Sequence, residues 1–197
     1  METGPNNPSL MLRLQNGDDS ALNLIMNQWQ TPLVRFIYRY IGNHEEALDL
    51  AQETFVRVYQ NRHAYRPSAK FSSWLFTIAS NLCKNYIRWE KRHPTVMLAR
   101  DHGSGGPSDA ADTFPSTGGT PLDTAADNDT ARCVKQSIQS LPHDLKTVVL
   151  LFEYENLSYE EISGVLNCSP KAVETRLYRA RKILRDLLER LNIKSAS

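Results

Sequence analysis

This sequence predicts an all-α chain of two small helical domains joined by a flexible linker, and three observations predict it. Apolar residues recur at three- and four-residue steps through both outer portions of the 197 residues. Alternating strand patterns are scarce. Between them, the stretch from Pro94 to about Asp129 is rich in Gly, Pro, Ser, Thr, Ala and Asp, with too little apolar periodicity to offset its ordering entropy. The length suits one ordinary domain or two small ones, and 41% hydrophobic residues permit packed cores. The expected division is 8–93, a linker over 94–130, and 131–192.

In the first portion a short helix is expected around Leu10 to Leu14. Asp18, Asp19 or Ser20 can cap the next, whose stripe holds Leu22, Leu24, Ile25, Trp29, Leu33, Phe36, Ile37 and Tyr40. It ends near Gly42 and Asn43, residues that tolerate a left-handed backbone. From about His44 to Arg62, Leu48, Ala51, Phe55, Val58 and Tyr59 share one helical face, with Asp49, Glu53, Val56 and Gln60 on or near the other. After Arg66-Pro67, where proline disfavours helix in its predecessor, Phe71, Trp74, Leu75, Ile78, Leu82, Tyr86 and Trp89 repeat through a segment reaching about Arg92. These helices together enclose a core.

In the second portion helices are expected near Ala131 to Leu141, Pro142 to Tyr154, Ser158 to Leu166 and Ser169 to Leu191. Ser158 with Glu161 three residues on is a capping box, which satisfies two orphan amides at a helix start. Asn167-Cys168 supplies a short turn, and Ser169-Pro170 restarts a helix with proline at its first position. That arrangement is a helix-turn-helix. Val173, Leu177, Ala180, Leu184, Leu187, Leu188 and Leu191 form its apolar stripe, and Lys171, Thr175, Tyr178, Arg179 and Lys182 point away from it. From Ser169 to Lys194 eight Lys/Arg stand against three acids, so the exposed face carries donors suited to phosphates and guanine edges.

The formal net charge of +1 conceals three unlike segments. Residues 1–93 hold 11 Lys/Arg against 8 Asp/Glu, and 132–197 again 11 against 8, while 94–131 holds one Arg and six Asp. Both outer modules are basic, as nucleic-acid partners require. Cys83, Cys133 and Cys168 stand apart, with no CxxC pair and no Cys/His cluster at metal-ligand spacing, and read as reduced cytosolic thiols. No signal peptide is legible, and no apolar run approaches the roughly 20 residues that cross a bilayer, so no membrane insertion is expected. There is no phosphate-cradling Gly loop, metal-ligand cluster or nucleophile motif, and His44, His63, His93, His102 and His143 are scattered and read as surface residues. No enzymatic activity, cofactor or metal is expected.

The end of the first module interleaves aromatics with bases: Phe71, Trp74, Phe76, Lys84, Tyr86, Arg88, Trp89, Lys91 and Arg92. Such mixtures can stack on unpaired bases and hold phosphates, although for any one aromatic core packing is the better reading. Asn81, Lys84, Asn85 and Arg88 are the stronger contact candidates.

Asp49-Leu50-Ala51-Gln52-Glu53-Thr54-Phe55-Val56-Arg57-Val58-Tyr59 resembles the core-polymerase-binding helix of sigma-70-type factors. Phe71 through Arg92, with Trp74-Leu75, Ile78-Ala79 and Asn81, resembles their promoter-melting segment. Ser140-Leu141-Pro142, Leu157-Ser158-Tyr159-Glu160-Glu161-Ile162 and Arg176-Leu177-Tyr178-Arg179-Ala180-Arg181 resemble their region 4. A chain of this size, with regions 2 and 4 alone, is similar to the extracytoplasmic-function (ECF) group. Asn167 stands where the family often has glycine, and Ser163 where alanine is frequent; asparagine tolerates the left-handed turn.

The resemblance implies an alternative sigma factor that binds RNA polymerase core, recognises minus-35 and minus-10 promoter elements and promotes DNA melting in the cytoplasm. It implies core contacts from Asp49, Gln52, Glu53, Phe55 and Tyr59, with Phe55 and Tyr59 also open to a core role and the acids to surface ion pairing. Phe71, Asn81, Lys84, Asn85 and Arg88 would read or melt the minus-10 element, where a pocket receiving an extruded base offsets part of the opening cost. Lys171, Glu174, Thr175, Arg176, Tyr178 and Arg179 would meet the minus-35 element in the major groove. An anti-sigma protein or other regulator is the implied partner. The competing reading is a conventional regulator that uses the helix-turn-helix alone, against which the Asp49–Tyr59 helix argues.

Overall fold

The computed structural model describes residues 7–68, 70–93 and 132–195, which are helical through most of their length and contain no strand. The expected linker, 94–130, lies outside the described residues. The first module comprises α1 (Asn7–Gln15), α2 (Ser20–Ile41), α3 (His44–Gln60) and α4 (Phe71–Arg92). The second comprises α5 (132–140), α6 (His143–Val149), α7 (Tyr159–Leu166) and α8 (Pro170–Ser195).

A two-residue corner joins α2 to α3 because Gly42 accepts φ +88°, where its N–H reaches the Tyr38 carbonyl at 2.8 Å. Asn43 then caps α3, its side chain accepting from the Glu46 N–H at 3.2 Å, and Glu45 and Glu46 complement the helix dipole. Ala47, Ala51, Thr54, Phe55 and Val58 set the buried face of α3. Leu48 therefore falls about 100° around the helix from Ala47 and stays 37% exposed, and Leu24 of α2 is likewise 42% exposed. Both were expected on the buried stripes and lie at their edges instead.

The core of this module is aromatic. Phe76 of α4 sits 5.0 Å from Phe36 and 6.2 Å from Trp29, both edge-on, and Phe71 sits 5.6 Å from Trp29. The Gln15 side-chain amide donates to the carbonyls of Arg62 and Tyr65 at 2.7 and 3.0 Å, fixing the approach to α4.

In the second module the expected single helix from Pro142 to Tyr154 changes character midway. Past Val149 it widens into one π turn, Leu150–Tyr154, where the Glu155 N–H bonds the Leu150 carbonyl at 3.3 Å. The helix α7 starts on the expected capping box, with the Ser158 hydroxyl accepting from Glu161 N–H at 3.2 Å and the Glu161 carboxylate accepting from Ser158 N–H at 2.9 Å. Asn167 takes φ +47° in the turn, and the Ser169 hydroxyl accepts from the Ala172 N–H at 3.2 Å to begin α8. That helix runs one turn beyond its expected end.

The two modules are packed against each other, and their buried residues form one continuous cluster. Helix α4 lies along α7, and the end of α2 meets the π turn. The ammonium of Lys146, 4% exposed, donates to the Tyr40 carbonyl at 3.2 Å, supplying a partner to the C-terminal end of α2. The Tyr40 hydroxyl bonds His143 Nδ1 and lies 3.4 Å from Thr147 Oγ1. His143 is thus half-buried in the junction rather than the surface residue expected. Lys135 bonds the Tyr38 hydroxyl, and Arg39 covers the Tyr154 ring at 4.3 Å. Gly42 also serves here, since a Cβ on it would stand 2.6 Å from Gln139 Nε2.

Burial shapes the titration of these groups. It pushes the Tyr40 phenol and the Cys83 thiol up, and brings Lys146 down to about 8. Glu155 is pushed up to about 7 by burial, which Arg39 and Arg35 only partly oppose. Between its ordinary 4.5 and about 7 the folded chain holds a proton that the unfolded chain releases, so this stability is complete below 4.5 and lost as pH rises through 7. Glu155→Gln should therefore raise Tm at pH 8 by at least about 2–4 °C, the effect of roughly 1 kcal/mol in a chain of this size. The difference should narrow by pH 5, which thermal denaturation at the two pH values checks. Phe76→Ala should remove the centre of the aromatic cluster and cost about 3–5 kcal/mol in urea unfolding.

Candidate nucleic-acid and polymerase interfaces

Helix α8 presents two unlike sides. Val173, Leu177 and Ala180 are fully covered, while Lys171, Glu174, Thr175, Tyr178 and Arg179 are exposed on the far side, Tyr178 to 72%. An exposed tyrosine among polar groups offers an apolar plate and a hydroxyl to whatever docks there. Lys171 and Glu174 pair at 2.7 Å, and Thr175 Oγ1 donates to the Lys171 carbonyl at 2.9 Å, so the first turns of the helix are pre-ordered.

Arg176 differs from its neighbours. Half-buried, it pairs with Asp144 at 3.1 Å and donates to Cys168 Sγ at 3.3 Å, tying α8 to the start of α6 and to the turn. Arg181 pairs with Glu153 at 2.6 Å and lies over Phe152, anchoring the helix to the π turn. These two arginines hold the helix at angles that its apolar stripe alone leaves free.

On α4, Asn81, Lys84, Asn85 and Arg88 occupy one ridge by their three- and four-residue spacing. Asn81, Asn85 and Arg88 are exposed and Lys84 is half-buried. Phe71, by contrast, is 3% exposed and packed among Trp29, Tyr65 and Trp74. On α3, Asp49 and Gln52 are exposed beside Leu48 and Val56, which is 46% exposed, forming an acidic strip with an apolar edge. Glu53 pairs with Arg57 at 2.8 Å, Tyr59 lies under the Arg62 guanidinium at 4.4 Å, and Phe55 is buried at 3%. Leu48 was missed as a surface candidate because an apolar residue beside a buried stripe reads as part of it, whereas Val56, expected on or near the other face, is exposed there.

The chain is similar to known proteins over most of its length. Sigma-70 region 2 matches residues 25–93, and Sigma-70, region 4 matches residues 131–184. The ECF RNA polymerase sigma-E factor of Haemophilus influenzae is 31% identical over 93% of this chain and 95% of its own. The RNA polymerase sigma-H factor of Pseudomonas aeruginosa is 32% identical over 97% of this chain and 98% of its own. Among solved structures, CnrH bound to the cytosolic domain of CnrY superposes with a TM-score of 0.66 at 22% identity, over 94% of this chain and 98% of that one. RpoE bound to the anti-sigma factor NepR, from Bartonella quintana, superposes with 0.60 at 23%, over 85% and 96%. Those two likenesses concern the fold, and with the kinship in sequence they lead to one result: the chain belongs to the ECF sigma factors of RNA polymerase, within the sigma-70 family.

Proposed function

We propose that this chain binds RNA polymerase core through α3, reads and opens the minus-10 element with α4, and reads the minus-35 element with α8. The observation that carries the reading is the exposed side of α8, where Lys171, Thr175, Tyr178 and Arg179 face outward on a helix locked from behind. On this reading residues 8–93 form the polymerase and minus-10 module, 131–192 the minus-35 module, and 94–130 the connection. The chain performs no catalysis of its own; nucleotide transfer belongs to the polymerase, in the cytoplasm.

The α3 contacts are Asp49, Gln52 and Glu53 directly, with Leu48 and Val56 adding apolar area, while Phe55 and Tyr59 shape the helix from beneath. The α4 contacts are Asn81, Lys84, Asn85 and Arg88, with Phe71 supporting the pocket wall from the core. Arg176 positions α8 through Asp144. The two promoter elements are about 25 base pairs apart, or about 85 Å of duplex at 3.4 Å per step. Packed modules cannot span that distance, so engagement with polymerase requires them to part, and the free chain rests in the closed arrangement. A partner that covers these faces, as an anti-sigma factor would, holds the chain inactive.

Co-elution with core polymerase tests the first contact. Wild-type protein should bind, and Asp49→Lys with Glu53→Lys should abolish binding while leaving Tm within a few degrees. If neither binds core and the wild type alone shifts duplex DNA, the sigma assignment gives way to a conventional helix-turn-helix regulator. On holoenzyme with promoter DNA, Tyr178→Ala and Arg179→Ala should each cost about 1–3 kcal/mol of minus-35-dependent binding. Arg176→Ala should instead lower Tm, because it removes an anchor rather than a reading group.

A further inference from the structure

Between the C-terminal half of α4 and the segment from Gln139 to Lys146 lies a cleft of about 650 Å³, a volume typical of small-molecule sites. Its charge is one-sided. Lys84, Arg88 and Lys91 line it from α4, His143 and Lys146 line it from the second module, and Glu90 is the one acid among the described lining residues. Among the described residues none of Lys84, Arg88 and Lys91 has an ion-pair partner.

These charges act on one another across the junction. The His143 imidazole is held below its usual value by burial and then by the charge of Lys84, and Lys91 adds to the burial that lowers Lys146. Cations near the end of α4 complement its dipole, which accounts for Lys91. The dipole does not account for Lys84, two turns earlier, or for two more basic groups supplied from the facing module. Closing the modules gathers five basic groups against two acids, Glu90 in the lining and Asp144 beside His143.

We propose that this cleft is a binding site for a small anion carrying two or more linked phosphates. Lys84, Arg88 and Lys91 recur at four- and three-residue steps and span about 10 Å along the helix, at 1.5 Å per residue. One arginine fork between two point-charge ammonium groups suits a chain of phosphates rather than a single carboxylate. Ile87 and Leu141 in the lining add an apolar surface that can take a flat ring. Inorganic polyphosphate and a nucleoside polyphosphate share this chemistry, and the second would also use that surface. Because the site draws on both modules, occupancy favours the closed arrangement. That Lys84 and Arg88 are thereby withheld from promoter DNA rests on the functional reading above; the binding itself does not.

The test is calorimetric titration of the full chain with tripolyphosphate and, in parallel, ATP, without divalent metal and at fixed ionic strength. Saturable one-to-one binding is expected, weakened about tenfold or more by Lys91→Ala and by His143→Gln, and unchanged by Arg185→Ala on the exposed side of α8, with tenfold equal to 1.4 kcal/mol. Tighter binding of ATP assigns the site to a nucleoside polyphosphate, and equal or weaker binding assigns it to the phosphate chain alone. Absence of saturable binding, or equal weakening by Arg185→Ala, overturns the proposal, since the attraction is then diffuse. Core co-elution of the same wild-type protein reads the sigma assignment separately.

Discussion

A single buried ammonium organises the junction on which the resting shape depends. The last carbonyls of any helix lack internal donors, and α2 ends inside the molecule, where water cannot supply them. Gly42 turns back to serve the Tyr38 carbonyl, and Lys146 reaches from the other module to serve that of Tyr40. Removing a charge from water is costly, as the lowered Lys146 value records. The cost is offset only while the modules touch, through that hydrogen bond, the Tyr40 ring beneath the ammonium, and the apolar area buried around both. Closure is consequently specific in geometry.

The same economy governs the α4 ridge. Its inner side completes the aromatic core, its outer side carries Asn81, Asn85 and Arg88, and Lys84 stands at the margin facing the second module. One helix therefore answers to the core and to the facing domain, and on the proposed reading also to nucleic acid. Helix α8 is built on the same plan, with Arg176 and Arg181 doing for orientation what the aromatic cluster does for α4.

Local signals in the sequence were enough for most of the helices and for several of their ends. Ser158 with Glu161, Asn167, Ser169-Pro170 and Gly42 each specify a backbone geometry within a few residues, and the structure has each as read. Tertiary matters were not legible. Arg176 sits in the middle of an exposed-looking basic run, yet Asp144, distant in sequence, takes its guanidinium. His143 and Lys146 look like surface residues until α2 arrives to cover them. The π turn has no marker in single-residue propensities. Leu48 shows the converse: apolar periodicity marks a face but does not say where the covered arc stops.

Cys83 lies fully covered in α4, near both Tyr40 and Lys146. Thiol chemistry proceeds through the thiolate, which burial disfavours here, and through physical access, which closure denies. The residue is thus a shuttered reporter whose alkylation clock runs only while its cover is breached. Oxidants that reach the chain at rest leave its centre unmarked, and any lasting chemical scar at that sulfur is a record of time spent open.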